Sequence, residues 1–347
     1  MSIKSGSMAL SVFRIEQDMR FASSFLNREA LFIHRFRPID ETPEWSTAVG
    51  WTGFEDMLDP DFSASHPQIG EYLAFSLRAD RRAVPPAVLK KHYAQALRKE
   101  EEANRESGKK FISRERKKEL LEQVKTRLTA KAEPVPASCG VVVNTRTGLV
   151  FLGSASPKVA EAFQAMFAKT FTLDLLPLDA CLLAGEPEAG RVFLTRVFSH
   201  GLTVPARDID ENTLVTDVTL SFAGRVVVVD EEAELSGTAK NGGDIAEIEA
   251  GVEAGKEVIK LGLRLDWEPD SFTMTLDQYL RLTGLRLPAG AGEGFKDDPD
   301  GAFLERMYLI EKAVAAIHAA CKAAWTDNQA GIAFVRTQPG VARMEAN

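Results

Sequence analysis

The sequence predicts an α+β fold, in which antiparallel sheets carry inserted helices, and three observations support this class. Short runs of alternating apolar and polar residues come in pairs, which is typical of β-hairpins. Segments with apolar residues at helical spacing stand between these pairs and do not alternate regularly with single strands. The 347 residues, 45 % of them hydrophobic, suffice for about two domains with buried cores.

The first 80 residues are predicted to form an α+β part. Residues 11–15 alternate and predict a short strand, and 18–32 have the apolar spacing of a helix. Residues 37–67 are rich in Pro, Asp and Ser, which predicts a loop. Residues 71–80 alternate again and predict a half-buried strand.

A basic helical hairpin is predicted next. Pro85 suits the first turn of one helix, and Ser113 is a good N-cap for the second. Residues 78–131 contain 17 Lys and Arg against 8 Asp and Glu, although the whole chain has a net charge of −8. Such asymmetry favours an anionic partner, but two solvated helices would also account for it, and the sequence leaves both interpretations open.

The remaining elements are predicted from turn and period signals. They are a hairpin over 139–152, a helix over 156–169, a strand over 172–178, a hairpin over 214–230 that turns at Ala223 and Gly224, a loop over 231–243, a helix over 245–252 and a long strand over 256–267. The predicted segments are accordingly 8–83 (α+β), 84–136 (helical hairpin), 137–287 (α+β), 288–301 (linker), 302–325 (terminal helix) and 326–347 (tail).

Several classes of protein are disfavoured by the sequence. No stretch approaches the roughly 20 apolar residues of a membrane helix, and the first residues lack a secretory signal, so a cytoplasmic protein is expected. Cys139, Cys181 and Cys321 are far apart and form no CxxC motif, which disfavours disulfides and zinc. No cofactor or metal site is predicted.

One acidic cluster offers an alternative chemistry. Asp230 and Glu232 follow a predicted strand, where two-metal nucleases place carboxylates. Consecutive acidic residues more often form a solvated turn, so we expect no enzyme activity. A metal-dependent nuclease that uses Asp230 and Glu232 stays as one alternative, and an interaction protein whose helical hairpin binds another protein is a second.

The long strand carries the clearest functional signal. Its period-2 alternation predicts a core face of Ile259, Leu261, Leu263 and Leu265. The opposite face is predicted to carry Lys256, Val258, Lys260, Gly262 and Arg264. Cations four residues apart on a strand are about 13 Å apart, and such a row can neutralise DNA phosphates without reading bases. An ordinary polar outer face would look the same in the sequence.

Around this strand the sequence resembles the RdgC family of bacterial recombination-associated proteins. The resemblance is carried by 253–256, Val258, Lys260-Leu261 and Leu265-Asp266-Trp267. Weaker motifs agree in order and spacing: 11–15, Gly50-Trp51, Val84-Pro85-Pro86, Thr147-Gly148-Leu149, Ala155-Ser156 and Pro177-Leu178.

The resemblance implies a protein that binds double-stranded DNA without sequence preference, associates with the nucleoid and restrains the RecA recombinase. It also implies a ring-shaped homodimer that encloses the duplex. Lys256 and Lys260 match family lysines, and the dimer-contact positions correspond to Lys240, Asn241 and Glu133. Lys240 and the hairpin residues Lys109, Lys110, Lys117 and Lys118 are predicted as further DNA contacts.

Overall fold

The structure is a computed structural model of the 347-residue chain. It describes residues 6–39, 47–64, 66–106, 111–211, 213, 217–230, 245–295 and 297–330, and the backbone of 235–240. The chain divides into two compact units. The first contains the described parts of 1–27, 68–74 and 140–347, and the second contains those of 28–67 and 75–139.

Antiparallel strands and helices are interspersed along the described residues, which confirms the predicted α+β class. The strands are β1 (Met8–Ile15), β2 (Thr47–Gly53), β3 (Gln68–Ile69), β4 (Tyr72–Arg82), β5 (Pro134–Asn144), β6 (Leu149–Leu152), β7 (Leu175–Pro177), β8 (Leu202–Pro205), β9 (Asp217–Asp230), β10 (Leu235–Lys240), β11 (Glu257–Trp267), β12 (Asp270–Asp277) and β13 (Leu282–Arg286). The helices are α1 (Met19–Ala22), α2 (Arg28–Ile33), α3 (Pro86–Glu106), α4 (Arg114–Lys131), α5 (Pro157–Phe171), α6 (Ala180–Ala184), α7 (Ala189–His200), α8 (Ile245–Glu253) and α9 (Pro299–Gln329). None of these helices has the length and hydropathy needed to cross a membrane.

In the first unit the strands form an antiparallel sheet in the order β10, β9, β11, β12, β13, β1, β6, β5. Its β9–β11 part packs on α7, and α7 packs on α9. The rings of Phe198 on α7 and Phe222 on β9 meet edge to face, with their centroids 5.2 Å apart. The Val258 N–H also donates a hydrogen bond to Thr195 Oγ1 on α7, at 3.0 Å. One face of this part of the sheet is therefore the core side.

The long helix α9 is attached to the strands of the first unit by a buried polar contact. Glu311 Oε1 accepts hydrogen bonds from Asn144 Nδ2 at 2.9 Å and from the Tyr72 hydroxyl at 3.2 Å. Burial raises the pKa of the Glu311 carboxyl above its ordinary value, although both hydrogen bonds act in the opposite direction. The ionised carboxylate is thus less favourable here than in the unfolded chain.

This raised pKa predicts a pH-dependent stability. Because the folded protein holds the Glu311 proton to higher pH than the unfolded chain, its contribution to stability falls as pH rises from about 4.5 through the folded pKa. Glu311→Gln keeps an oxygen that accepts the two hydrogen bonds but does not ionise. The free energy of unfolding of this variant should therefore rise relative to that of the wild type between about pH 4.5 and the folded pKa of Glu311, and the difference should stay constant at higher pH. Denaturant unfolding of both proteins from pH 4 to pH 8 measures the difference. Parallel stability curves would contradict this prediction.

The second unit contains the predicted helical hairpin. Ser113 accepts a hydrogen bond from the Arg116 N–H, which confirms it as the N-cap of α4. Arg116 also forms an ion pair with Glu100 of α3 at 2.8 Å, so the two helices are joined by a charged contact. α3 buries no residue fully, and α4 buries only Leu120 and Val124. Most side chains of the hairpin are therefore at least partly exposed to solvent.

Several predicted elements of the first unit are confirmed. The strand at 11–15 is β1, the hairpin over 139–152 is β5 and β6, and the helix over 156–169 is α5. The helix over 245–252 is α8, and the long strand is β11. Two of these elements carry strong local signals: the β5–β6 hairpin has a turn that ends in glycine, and α5 has a proline at its start.

The predicted hairpin over 214–230 is wrong. Residues 217–230 form one continuous strand, β9, and its hairpin partner is β10, which the sequence analysis placed in a loop. The φ of Gly224 is 111°, so this residue does have the left-handed backbone that suggested a turn. Here that conformation makes a bulge inside β9 instead of reversing the chain.

Three predictions for the first 80 residues need correction. The helix over 18–32 is divided into α1 and α2, and in the segment between them the side chains of Ser24 and Asn27 bond to the backbone carbonyls of Phe21 and Ser24. The loop over 37–67 contains strand β2, on which Gly50 allows close approach of the Phe36 backbone. Strand β4 is buried on both faces from Tyr72 to Leu77, so it is not half-buried.

Candidate nucleic-acid interface

The sheet side opposite α7 is polar. On β11, Leu261, Leu263 and Leu265 are fully buried on the helix side. Lys260 and Arg264 alternate with them and are exposed on the opposite side. They lie about 13 Å apart along the strand, at about 3.3 Å per residue. The structure therefore agrees with the predicted face for these two cations.

The strand register places two more arginines on this side. Arg225 of β9 is exposed and precedes Val226, which is fully buried. Arg286 of β13 is exposed and pairs with Thr273, which pairs in turn with Arg264. Directly paired residues of an antiparallel sheet point to the same face. We call this side the cationic face and define it by Arg225, Lys260, Arg264 and Arg286.

Lys256 does not belong to this row. Val258 pairs with Val228, but Lys260 pairs with Val227, so Ile259 is an extra residue in β11. This bulge reverses the alternation: Val258 is fully buried, and Ile259 is half-buried. The predicted faces of Val258 and Ile259 are therefore wrong.

Lys256 instead lines a polar cleft of about 470 Å³ beside the start of α7, together with Arg191 and Asp230. Arg191 donates hydrogen bonds to Glu257, which also lines the cleft, at 2.8 Å and to Gln278 at 2.7 Å. The nuclease alternative requires Asp230 and Glu232. Asp230 lines this cleft, whereas Glu232 lies outside the described residues. Within the described chain, no three His, Cys, Asp or Glu residues are grouped so that they could hold a metal ion.

The cationic face also contains carboxylates, and these have partners. Asp266 accepts a hydrogen bond from Arg264 Nε at 2.8 Å in an ion pair whose arginine side chain is 54 % exposed. Asp277, which pairs with Lys260 across the strands, accepts from Arg281 Nε at 2.7 Å. Local arginines therefore already compensate both carboxylates.

The other predicted contacts are dispersed. Lys117 and Lys118 are exposed on α4 in the second unit, and Glu133 is exposed just before β5. The Lys240 backbone belongs to β10, where its Cα pairs with that of Arg225. Asn241, Lys109 and Lys110 lie outside the described residues.

Comparison with known proteins identifies the family. A family model described as "Putative exonuclease, RdgC" matches residues 8–189, which is more than half of the 347-residue chain. The chain belongs to the RdgC family. No curated protein matches it. The match to the RdgC model covers β1 through α6 and the first residue of α7, so β11 lies beyond it. The correspondence of Lys256 and Lys260 with RdgC lysines stays a prediction.

Sequence patterns alone do not place Arg225 and Arg286 on the cationic face. Arg225 follows the predicted turn at Ala223 and Gly224, and the four valines after it are typical of a strand but show no period-2 alternation that would place Arg225 on a face. Arg286 ends a five-residue strand that contains a glycine, so its period-2 signal is weak. Only the register of four strands shows that these arginines share a face with Lys260.

Proposed function

We propose that this RdgC-family protein binds double-stranded DNA through the β11 row of the cationic face, Lys260 and Arg264, without recognising base sequence. One observation carries the proposal: Lys260 and Arg264 are exposed on the side of the sheet opposite α7, in a chain with a net charge of −8. Cations held on strands contact phosphates, and phosphate contacts give affinity but carry no direct base information. Thr273 and Thr275 on the neighbouring strand β12 carry hydroxyl groups, which can also donate hydrogen bonds to phosphate oxygens.

Family membership suggests the biological role of this binding. We propose that the protein is a nucleoid-associated homodimer that closes around the duplex, with Lys240, Asn241 and Glu133 at contacts between the copies. A protein that covers the phosphate backbone in this way would restrain RecA by competing for DNA. Native mass with and without a duplex of about 30 bp, roughly three helical turns, tests the dimer. A strand-exchange assay with and without the protein tests the restraint.

The direct test of DNA binding is its salt dependence. Each phosphate contact contributes about 0.9 to the slope of log association constant against log salt concentration. Replacing both cations, Lys260→Gln with Arg264→Gln, should therefore lower the slope by about 2 and weaken binding to unrelated duplexes equally. Fluorescence anisotropy with a labelled 30 bp duplex, about three helical turns, measures it across a salt series.

The control is a double variant on α5, Lys158→Gln with Lys169→Gln, which removes two exposed cations that are not on the cationic face. It should retain the wild-type slope. The proposal fails if the wild type does not bind duplex DNA, or if both double variants lose the same amount. A wild type without DNA affinity would favour the protein-interaction alternative, with the helical hairpin as the binding surface.

The hairpin is the competing DNA site. The double variant Lys260→Gln with Arg264→Gln is called the cationic-face variant. Replacing the four hairpin lysines together by Gln should reduce the salt slope less than the cationic-face variant does; these lysines are Lys109, Lys110, Lys117 and Lys118. A hairpin variant that loses DNA while the cationic-face variant keeps it would assign binding to the second unit.

We also propose that the protein does not cleave DNA. Incubating end-labelled duplex with Mg²⁺ or Mn²⁺ tests this, since shortened strands would favour the exonuclease alternative.

Asp266→Asn should strengthen DNA binding. In the folded protein Asp266 holds the Arg264 guanidinium in an exposed ion pair. Such pairs contribute about 0.2–1 kcal/mol, so releasing the arginine to a phosphate should raise affinity by up to about fivefold. The same anisotropy titration measures the gain. If Arg264 does not contact DNA, Asp266→Asn and the double variant Asp266→Asn with Arg264→Gln should each bind as the wild type does.

A further inference from the structure

The strands β9 and β11 pair irregularly at the centre of the cationic face. Leu261 pairs with Val226, and Leu263 pairs with Phe222. Gly262, the single residue between the two leucines, therefore faces three residues of β9, Ala223 to Arg225. Gly224 has a φ of 111° and lets the β9 backbone bulge toward Gly262.

This bulge determines what lies between Lys260 and Arg264. A side chain at position 262 would point to the cationic face, but Gly262 has none, and its Cβ position is 2.4 Å from the Ala223 carbonyl oxygen. The row on β11 thus has a gap at its middle. The backbone nitrogen of Arg225 is only 2.9 Å from that same Cβ position. Arg225 therefore stands beside the gap.

The spacing of these cations fits a continuous phosphate-binding surface. Position 262 is about 6.6 Å from Lys260 and from Arg264 along β11, and β9 is displaced by about 4.8 Å. Arg225 is therefore roughly 8 Å from each of them at the backbone. Arg286 is two strands from Arg264 through Thr273, which is about 10 Å. Long arginine and lysine side chains span the remaining distances.

These two arginines differ from Arg264 and Arg281 in their ion pairing. Within the described residues, neither Arg225 nor Arg286 forms an ion pair, in contrast to Arg264 with Asp266 and Arg281 with Asp277. Collecting exposed cations on one face costs repulsion in the free protein, and a bound polyanion relieves it. Both arginines also lie outside the residues that the family model matches.

We propose that Arg225 and Arg286 are further phosphate-binding residues, so that four cations on three strands hold the duplex. This inference rests on the proposed binding of DNA by the cationic face. It enlarges the contact from a single row on β11 to a patch about 13 Å along the strands and about 14 Å across them. Along a duplex, 13 Å corresponds to about four phosphates of one strand, at 3.4 Å of helix axis per phosphate.

The experiment compares salt slopes for binding a labelled 30 bp duplex, about three helical turns. Arg225→Gln with Arg286→Gln should lower the slope by about 2, and the variant that also carries Lys260→Gln and Arg264→Gln should lower it by about 3–4. Arg225→Lys with Arg286→Lys should restore most of the slope, because charge rather than fold would be responsible. The α5 variant, Lys158→Gln with Lys169→Gln, is the matched control. Melting temperature and native mass of every variant verify folding.

The outcomes separate this inference from the proposed function. If Arg225→Gln with Arg286→Gln keeps the wild-type slope while Lys260→Gln with Arg264→Gln lowers it, DNA binding stands and the enlarged patch is refuted. If the wild type does not bind the duplex, both proposals fail. A reduced slope that the lysine variants do not restore would assign the arginines a structural role and also refute the inference.

Discussion

Leu263→Ala is expected to lower the free energy of unfolding by about 2–5 kcal/mol. Leu263 is fully buried at the centre of β11, between Met274 on β12 and Phe222 on β9. Truncation loses the transfer free energy of the removed carbons and leaves a cavity that paired backbones on both sides prevent from collapsing. Urea denaturation followed by circular dichroism measures the loss.

The matched control for Leu263→Ala lies three residues away on the same strand. Lys260→Ala changes an exposed side chain on the opposite face and should stay within about 0.5 kcal/mol of the wild type. Leu261→Ala, on the buried side, should resemble Leu263→Ala. Equal losses for Lys260→Ala and Leu263→Ala would mean that both faces of β11 are covered, which would also remove the basis for a DNA-binding surface.

The elements that could be predicted from the sequence are those whose signal is local. The α3–α4 hairpin is indicated by Pro85 and Ser113, and the β5–β6 hairpin by a turn that ends in Gly148. Each of these signals acts within four residues of the element that it starts or ends. The outer positions of Lys260 and Arg264 followed in the same way, because strand alternation is itself a local property.

The errors arise where a partner strand decides the local structure. Ile259 is an extra residue only relative to β9, so the sequence of β11 cannot show that Lys256 leaves the row. Gly224 has the same positive φ in a bulge as in a hairpin turn, and the choice depends on whether β11 continues opposite it. Arg225 was therefore missed for the same reason that β9 was predicted as two strands.

Gly262→Ala tests this dependence between strands directly. The added methyl group would lie 2.4 Å from the Ala223 carbonyl oxygen and 2.9 Å from the Arg225 nitrogen, and backbone atoms cannot move away as a flexible side chain would. We expect a loss of about 1–3 kcal/mol or more on unfolding, because β9 and β11 must separate at the bulge. Gly294→Ala is the control, since its Cβ position has nothing within 4 Å and its φ is not positive.

Because the same displacement would move Arg225 away from Lys260 and Arg264, Gly262→Ala should also weaken duplex binding at temperatures where the variant remains folded. A variant as stable as the wild type would contradict the bulge, and with it the position assigned to Arg225.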